Sequence, residues 1–305
     1  MLRYIARRLG QSIPVLFAIA TATFFMLRLA PGGPFDAEKN VTPEIKKALE
    51  AHYGMNRPLW HQYLDYMGKL LQGDLGPSFK YPNRTVNELI ADCFPVSLEL
   101  GLYALAFALV TGLAAGTIAA LKPNTWLDYI PMSISMTGVC LPTFILGPIL
   151  VLMFALTLHW CNASGWDFGR DRILPAITLG SFYAAYVARL TRAGLLDVLH
   201  QDFIRTARAK GASWPRILFR HALKPGLQPV ISFLGPAAAG ILTGSFVVET
   251  IFQIPGLARF FVTAAFNRDY TLVLGAVLFY AALICLFNLL VDVVQVWMNP
   301  RLRFD

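Results

Sequence analysis

The sequence predicts an all-α membrane protein of six transmembrane helices, with a small helical insertion after helix 1 and a basic cytoplasmic loop between helices 4 and 5. Three observations lead there. Hydrophobic residues make up 56% of the 305 residues, and the mean hydropathy is +0.54. Charged residues make up only 14%, where soluble domains carry roughly 25%. Apolar runs of about 20 residues, each enough to cross a ~30 Å hydrocarbon layer, recur along the chain, and short polar segments between them hold most of the Lys and Arg. The net charge of +8 therefore reads as positive-inside sorting. A nucleic-acid face would instead spread its basic residues along one aromatic-studded surface.

The first segment, residues 1–30, places Arg3, Arg7 and Arg8 before an apolar run from about Leu9 to Leu29. Arg28 stands where a secretory leader would put its small-residue cleavage site, so a retained helix with a cytoplasmic amino end is expected. Residues 31–95 are soluble in character and are expected to form a helical cap on the far side. Thr42 and Pro43 open one helix, with Ile45, Ala48 and Leu49 on one face and Gly54 past its end. Pro58 precedes a second, with Trp60, Tyr63, Leu64, Met67, Leu70 and Leu71 at helical spacing and a stop near Gly73. Thr85 to Glu88 is a capping box before a third short helix.

Residues 96–305 hold the other five spans. The second, about Leu98 to Leu121, is rich in Gly and Ala and suits close helix packing. After a hairpin from Lys122 to Asp128, a long third span is expected from Tyr129 to about Leu158. Its Pro131, Pro142 and Pro148 free backbone carbonyls that persist only beside protein or a wet cavity. Residues 159–172 place Trp160 and Trp166 at the far interface. The fourth span covers Ile173 to about Leu190, and the fifth about Leu227 to Val248 with Glu249 at its far end. A connecting segment leads to the sixth, about Thr271 to Met298, which contains Asn288 and Asp292 and ends in Arg301 and Arg303. The two short far-side loops carry only Arg170, Arg172, Arg259 and Arg268, so the count of basic residues places both termini in the cytoplasm.

Residues 193–226 form the basic loop, and Gln201 to Pro225 is its centre. Arg205, Arg208, Lys210, Arg216, Arg220 and Lys224 face a single opposing acid, Asp202. Phe203, Ile204, Ala207 and Ala209 can form one apolar side of a short helix that Gly211 ends, and Ser213, Trp214 and Pro215 start another. A hinged pair of capped helices is more than a topology signal needs, and it reads as a docking knob for a soluble partner. Catalytic patterns are missing: the sequence has no phosphate loop, dinucleotide fingerprint or H-E-x-x-H, and no C-x-x-C pair among Cys93, Cys140, Cys161 and Cys285. The five histidines are dispersed, and His221 reads as a packed or hydrogen-bonded residue. Asp292 is expected to pair with a basic group on a neighbouring helix, since a proton relay needs several core carboxylates. Glu249, Asn288, Asp292, Arg268 and Asp269 are the candidate intramembrane or far-side functional residues.

The run Arg205-Thr206-Ala207-Arg208-Ala209-Lys210-Gly211, followed by His221-Ala222-Leu223-Lys224-Pro225, resembles the EAA loop of binding-protein-dependent ABC importer permeases, specifically their peptide branch. ARRLGQSIPVLF, RLAPGGP, GDLGPSFKY, VVETIFQIPGL and FNRDYTLV look like that branch too, and GPSFKY is most like the B-type subunits of oligopeptide permeases. Arg205 and Thr206 replace the glutamate and first alanine of the motif's name, and Ala258 stands where a second far-loop glycine is expected. The resemblance implies a periplasmic cap, a cytoplasmic coupling-helix loop and a bacterial inner-membrane transport subunit that is not itself an enzyme. It implies no cofactor in this chain, with ATP and Mg held by two partner ATPase subunits. It also implies a homologous second permease, a periplasmic peptide-binding protein, a peptide substrate and surrounding lipid. Dipeptides, glutathione or nickel remain open as cargo, and a membrane-embedded enzyme or a proton-coupled carrier as other classes.

Overall fold

The computed structural model describes residues 2–30, 32–34 and 43–298, and of these leaves aside the side chains of 2–4, 43, 45, 46 and 295–298. Thr42, expected as a helix cap, and Arg301 and Arg303, expected to close the last span, lie outside the described residues. The helices are α1 (Leu2–Leu29), α2 (Pro43–His52), α3 (Leu59–Leu71), α4 (Val86–Leu121), α5 (Trp126–Cys140), α6 (Thr143–Leu150), α7 (Ile173–Leu199) and α8 (Asp202–Ala209). They continue as α9 (Trp214–Arg216), α10 (Leu223–Gly226), α11 (Gln228–Leu242), α12 (Phe246–Ile251), α13 (Leu257–Phe266) and α14 (Tyr270–Met298). π-helical turns cover Val151–Thr157 and Ile217–Ala222. Among the described residues there is no strand, only an isolated bridge between Pro77 and Thr85.

Five segments are long and apolar enough to cross a membrane: Ile5–Leu29, Val86–Leu121, Gly169–Leu199, Gln228–Ile251 and Tyr270–Val294. A sixth crossing exists if α5 and the Thr143–Thr157 helix count together, and the two are bent by 112°. The third span, expected as one long helix interrupted by prolines, is thus broken in two, and Pro142 is the cause. Its ring pushes Leu141 into extended backbone (φ −99°, ψ 112°), where a helix cannot continue. A second correction concerns Thr85. Its capping box forms, with Glu88 N donating to Thr85 Oγ1 at 3.2 Å and Thr85 N to Glu88 Oε2 at 3.1 Å. It opens no short helix, however: α4 runs on through Pro95 to Leu121 without a stop. Cys93, Ser97 and Leu100 around that proline are all buried, so packing holds the turn whose hydrogen bond Pro95 removes.

The chain forms two compact units. The first comprises Met1–Val96 and Gly256–Cys285, the second Ser97–Pro255 and Leu286–Asp305. In the first unit Val86, Leu89, Ile90 and Cys93 pack with Leu257, Ala264, Leu272 and Val273. A second cluster joins Ala20 and Phe24 of α1 to Tyr63 and Tyr66 of α3 and to Leu274 and Leu278 of α14. The stripe expected on α3 therefore divides. Tyr63 and Tyr66 turn inward, Tyr66 stacking on Phe24 at 5.8 Å, while Trp60 and Leu71 stay exposed. Burial pushes the Tyr66 hydroxyl above its ordinary pKa. The segment expected merely to connect spans five and six contains α13, with Leu257, Ala258 and Ala264 buried. Gly256 caps that helix and the turn is complete before it, so Ala258 sits inside a helix and no second glycine is required.

In the second unit α7 is the central helix, packing against α5, α6, α10, α11 and α12. Small residues bring α4 against it. A Cβ on Gly112 would lie 2.7 Å from the Ala184 carbonyl oxygen, and one on Gly180 2.6 Å from that of Ala104. α7 runs beyond the expected Leu190 to Leu199 because its last turns, through Leu195 and Val198, are buried in the core of the basic loop.

Candidate functional site

The loop is a compact elbow with its own small core. Gln201 caps α8 in extended backbone (φ −76°, ψ 153°), and its carbonyl accepts from Ile204 N at 3.0 Å. Ile204 is fully buried and Ala207 half-buried, packed with Ala120, Leu195, Val198, Ile217, Leu218 and Ala222. Phe203 and Ala209, expected on the same apolar side, face outward instead. Gly211 closes the helix in left-handed backbone (φ +76°), its N–H donating to the Arg208 carbonyl at 2.9 Å, and Ala212 N donates to the Ala207 carbonyl at 3.1 Å. Ser213 (φ −65°, ψ 152°) then opens α9 with Pro215 in its first turn. The Arg208 guanidinium lies 4.7 Å over the Trp214 ring and braces the two arms across the turn.

What the elbow presents is cationic and aromatic. Arg205, Arg208, Lys210, Arg216, Arg220 and Lys224 are exposed, as are Thr206, Ala209, Gly211 and Pro225. Phe203, Trp214 and Phe219 add exposed rings, Phe219 at 71%. The Arg205–Asp202 contact at 3.6 Å joins two well-exposed side chains and neutralises little. His221 is half-buried in the Ile217–Ala222 turn. Arg205, Thr206, Ala207, Arg208, Ala209, Lys210, Gly211, His221 and Pro225, the expected docking residues, thus all lie in the elbow, with Ala207 serving its internal core.

The remaining candidates lie elsewhere. Asp269 is fully buried in the first unit and caps α14: its carboxylate accepts from Leu272 N (3.2 Å), Phe79 N (3.2 Å), Ser78 Oγ (2.5 Å) and Thr271 Oγ1 (3.0 Å). Thr271 Oγ1 also reaches the Pro77 carbonyl at 2.6 Å, so the Gly76–Tyr81 loop is tied to the start of α14. Burial, then the Asp269 carboxylate and Cys93, push the Tyr81 phenol up. Arg268, in left-handed backbone (φ +59°), donates to the Gly33 carbonyl at 3.5 Å. Glu249 is fully buried in the second unit, accepting from Ser97 Oγ at 2.7 Å above the turn at Gly244. On α14, Asn288 is exposed and Asp292 half-buried. Among the described residues no group of His, Cys, Asp or Glu could hold a metal ion.

Two pairs escaped the sequence reading. Arg192 donates to Asp128 through Nε (2.7 Å) and Nη2 (2.6 Å), and Asn124 N donates to the same carboxylate at 2.9 Å. Asp128 is 2% exposed. Arg172 Nε donates to Glu99 at 3.0 Å while its guanidinium stacks 4.7 Å from Trp166, whose Nε1 donates to Glu99 at 3.2 Å. Trp166 is therefore a packing partner of a loop arginine. Each acid lies more than 60 residues from its base, so no local spacing could have linked them.

Residues 112–304 match the binding-protein-dependent transport system inner membrane component, and residues 1–101 match the N-terminal component of the same systems. The chain belongs to this family. The inner membrane component described here is 50% identical over 306 residues to the oligopeptide transport system permease protein OppB of Salmonella typhimurium, covering all of both chains. It is 49% identical, again over full length, to OppB of Haemophilus influenzae. To the dipeptide transport system permease protein DppB of Bacillus subtilis it is 40% identical over 303 residues, covering 99% of this chain and 98% of DppB. Among solved structures, the inward-facing MetNI methionine ABC transporter shares the fold, with a TM-score of 0.56 at 16% identity over 69% of this chain and 96% of that one. As an inner membrane component, the chain is a multi-pass membrane protein and a transport subunit.

Proposed function

We propose that this chain is a permease subunit of an ATP-driven oligopeptide importer, forming half of the translocation pathway. The observation that carries the reading is the Gln201–Pro225 elbow: a self-packed, glycine-turned pair of helices presenting exposed Arg, Lys and aromatic side chains. Such an element suits a groove with acidic edges on an ATPase subunit, and a rigid internal core lets it transmit a push to α7 and α11. In this reading two ATPase subunits hold the ATP and Mg, a homologous permease completes the pathway, and a periplasmic binding protein delivers the peptide. Both termini lie in the cytoplasm with the elbow. Full-length identity of 49–50% to oligopeptide permeases, against 40% to a dipeptide permease, supports oligopeptides as cargo.

Gentle purification of the tagged chain, identification of the subunits that stay bound and peptide uptake in proteoliposomes test this. Uptake is expected only with the complete set and ATP, and it should vanish when the ATPase cannot bind nucleotide. Peptide uptake by the chain alone would overturn the proposal.

A further inference from the structure

The exposed face shared by α7 and α11 is unlike the exposed faces of α4 and α14. α4 and α14 expose Leu102, Val110, Leu286 and Leu290, side chains suited to lipid. α11 exposes Ser232, Pro236 and Gly240, one stripe at i, i+4 and i+8, and none offers hydrocarbon a branched apolar chain. On α7 the neighbouring stripe is Phe182, Tyr186 and Arg189, at i, i+4 and i+7. The two helices meet through their rings: Tyr186 stacks on Phe233 at 5.5 Å with 18° between planes, and Phe182 lies 5.1 Å from Tyr186. The opposite side of α7, with Ala184, Ala185, Ala188 and Thr191, is buried.

Arg189 differs from its neighbour Arg192, one turn away. Arg192 is neutralised by Asp128. Arg189 is exposed, and its guanidinium lies 4.9 Å over the Tyr186 ring. A ring under a guanidinium orients its plane and leaves its N–H edge open for a carboxylate. Arg189 stands at the cytoplasmic end of the fourth span, where its open edge can meet water or the carboxylate of a solute leaving the path. Gly240 keeps the same face narrow-walled: a Cβ there would lie 2.8 Å from Tyr183 Oη, so the hydroxyl occupies the space a side chain would fill.

We infer that this face is a peptide contact site within the translocation path. Arg189 receives a carboxylate of the passing peptide, and the rings of Phe182, Tyr186 and Phe233 receive its apolar side chains. The inference rests on the proposal that the cargo is a peptide.

Two measurements on the assembled importer in proteoliposomes test it. With Cys93, Cys140, Cys161 and Cys285 replaced by serine, Ser232→Cys should react with a water-soluble thiol reagent, and transported peptide should slow that reaction several-fold. Val110→Cys, on a lipid-suited face, should stay unreactive. Reaction of Ser232→Cys only with a lipid-soluble reagent would make this a lipid surface, and no reaction at all would make it a permease–permease contact; either overturns the inference. In the second measurement, Arg189→Gln should lower uptake of a neutral peptide acid about tenfold while changing uptake of its C-terminal amide less than twofold. Arg189→Lys should restore part of the difference. Equal losses for acid and amide would overturn the assignment to Arg189 while leaving the importer reading intact. A wild-type complex that takes up neither peptide would refute the importer reading itself.

Discussion

At Gly211 the local backbone and the proposed docking can be separated by substitution. Its φ of +76° puts it in left-handed backbone, yet a Cβ there meets nothing within 4 Å. Gly211→Ala should therefore cost only about 1–2 kcal/mol of local stability, and Gly211→Asn less, since Asn tolerates this backbone. Trypsin cleavage in the basic loop would register the difference, with Ala faster than Asn and Asn close to wild type. Gly211→Asp should insert and accumulate normally but lower uptake by about tenfold or more, because it sets a negative charge where the reading needs an acidic partner to approach. Ala207 is a poorer probe: it is half-buried in the elbow's core, so Ala207→Arg would disturb folding as well as docking. The Asp128–Arg192 pair makes a second residue-scale prediction. Asp128→Asn leaves the guanidinium without its charge partner and should cost about 3 kcal/mol, read as a lower melting temperature in detergent. Asp128→Asn combined with Arg192→Gln should recover part of that loss.

Helix type and approximate extent were legible wherever apolar periodicity and caps agreed. The Thr85–Glu88 box, the start at Pro58 and the Gly211 turn all form. Continuity was not legible. Pro95 is carried inside α4 by buried flanking turns, whereas Pro142 breaks its span by 112°, and local sequence presents both as a proline in an apolar run. α13 was legible and overlooked: Leu257, Phe260, Phe261 and Ala264 fall at i, i+3, i+4 and i+7, a helical stripe. Asp269 was singled out as a far-side charge, and its role as the cap of α14 and anchor of the Gly76–Tyr81 loop needed contacts across some 190 residues. Asp269→Ala should cost about 2 kcal/mol or more and expose that loop to protease, since Ser78 Oγ, Phe79 N and Leu272 N lose their acceptor. Gly180→Val should cost about 1–3 kcal/mol by forcing α7 away from α4, and protease protection of α7 should fall with it.

For the whole molecule, membership of a binding-protein-dependent transport family follows from features spread along the chain, since both family regions together cover residues 1–101 and 112–304. Six crossings require the bent α5–α6 pair to be one of them, and the elbow then joins the two spans that bear the exposed Arg189 face. The central claim is that the elbow is gripped by an ATPase. Ala209 is exposed on α8 and outside the elbow's core, so a photoactivatable cross-linker can replace it without disturbing the packing of Ile204 and Ala207. Illumination of the assembled importer should join position 209 to an ATPase subunit and stop ATP-driven uptake in the linked fraction. Linking to lipid or to the binding protein alone, with uptake unchanged, would contradict it.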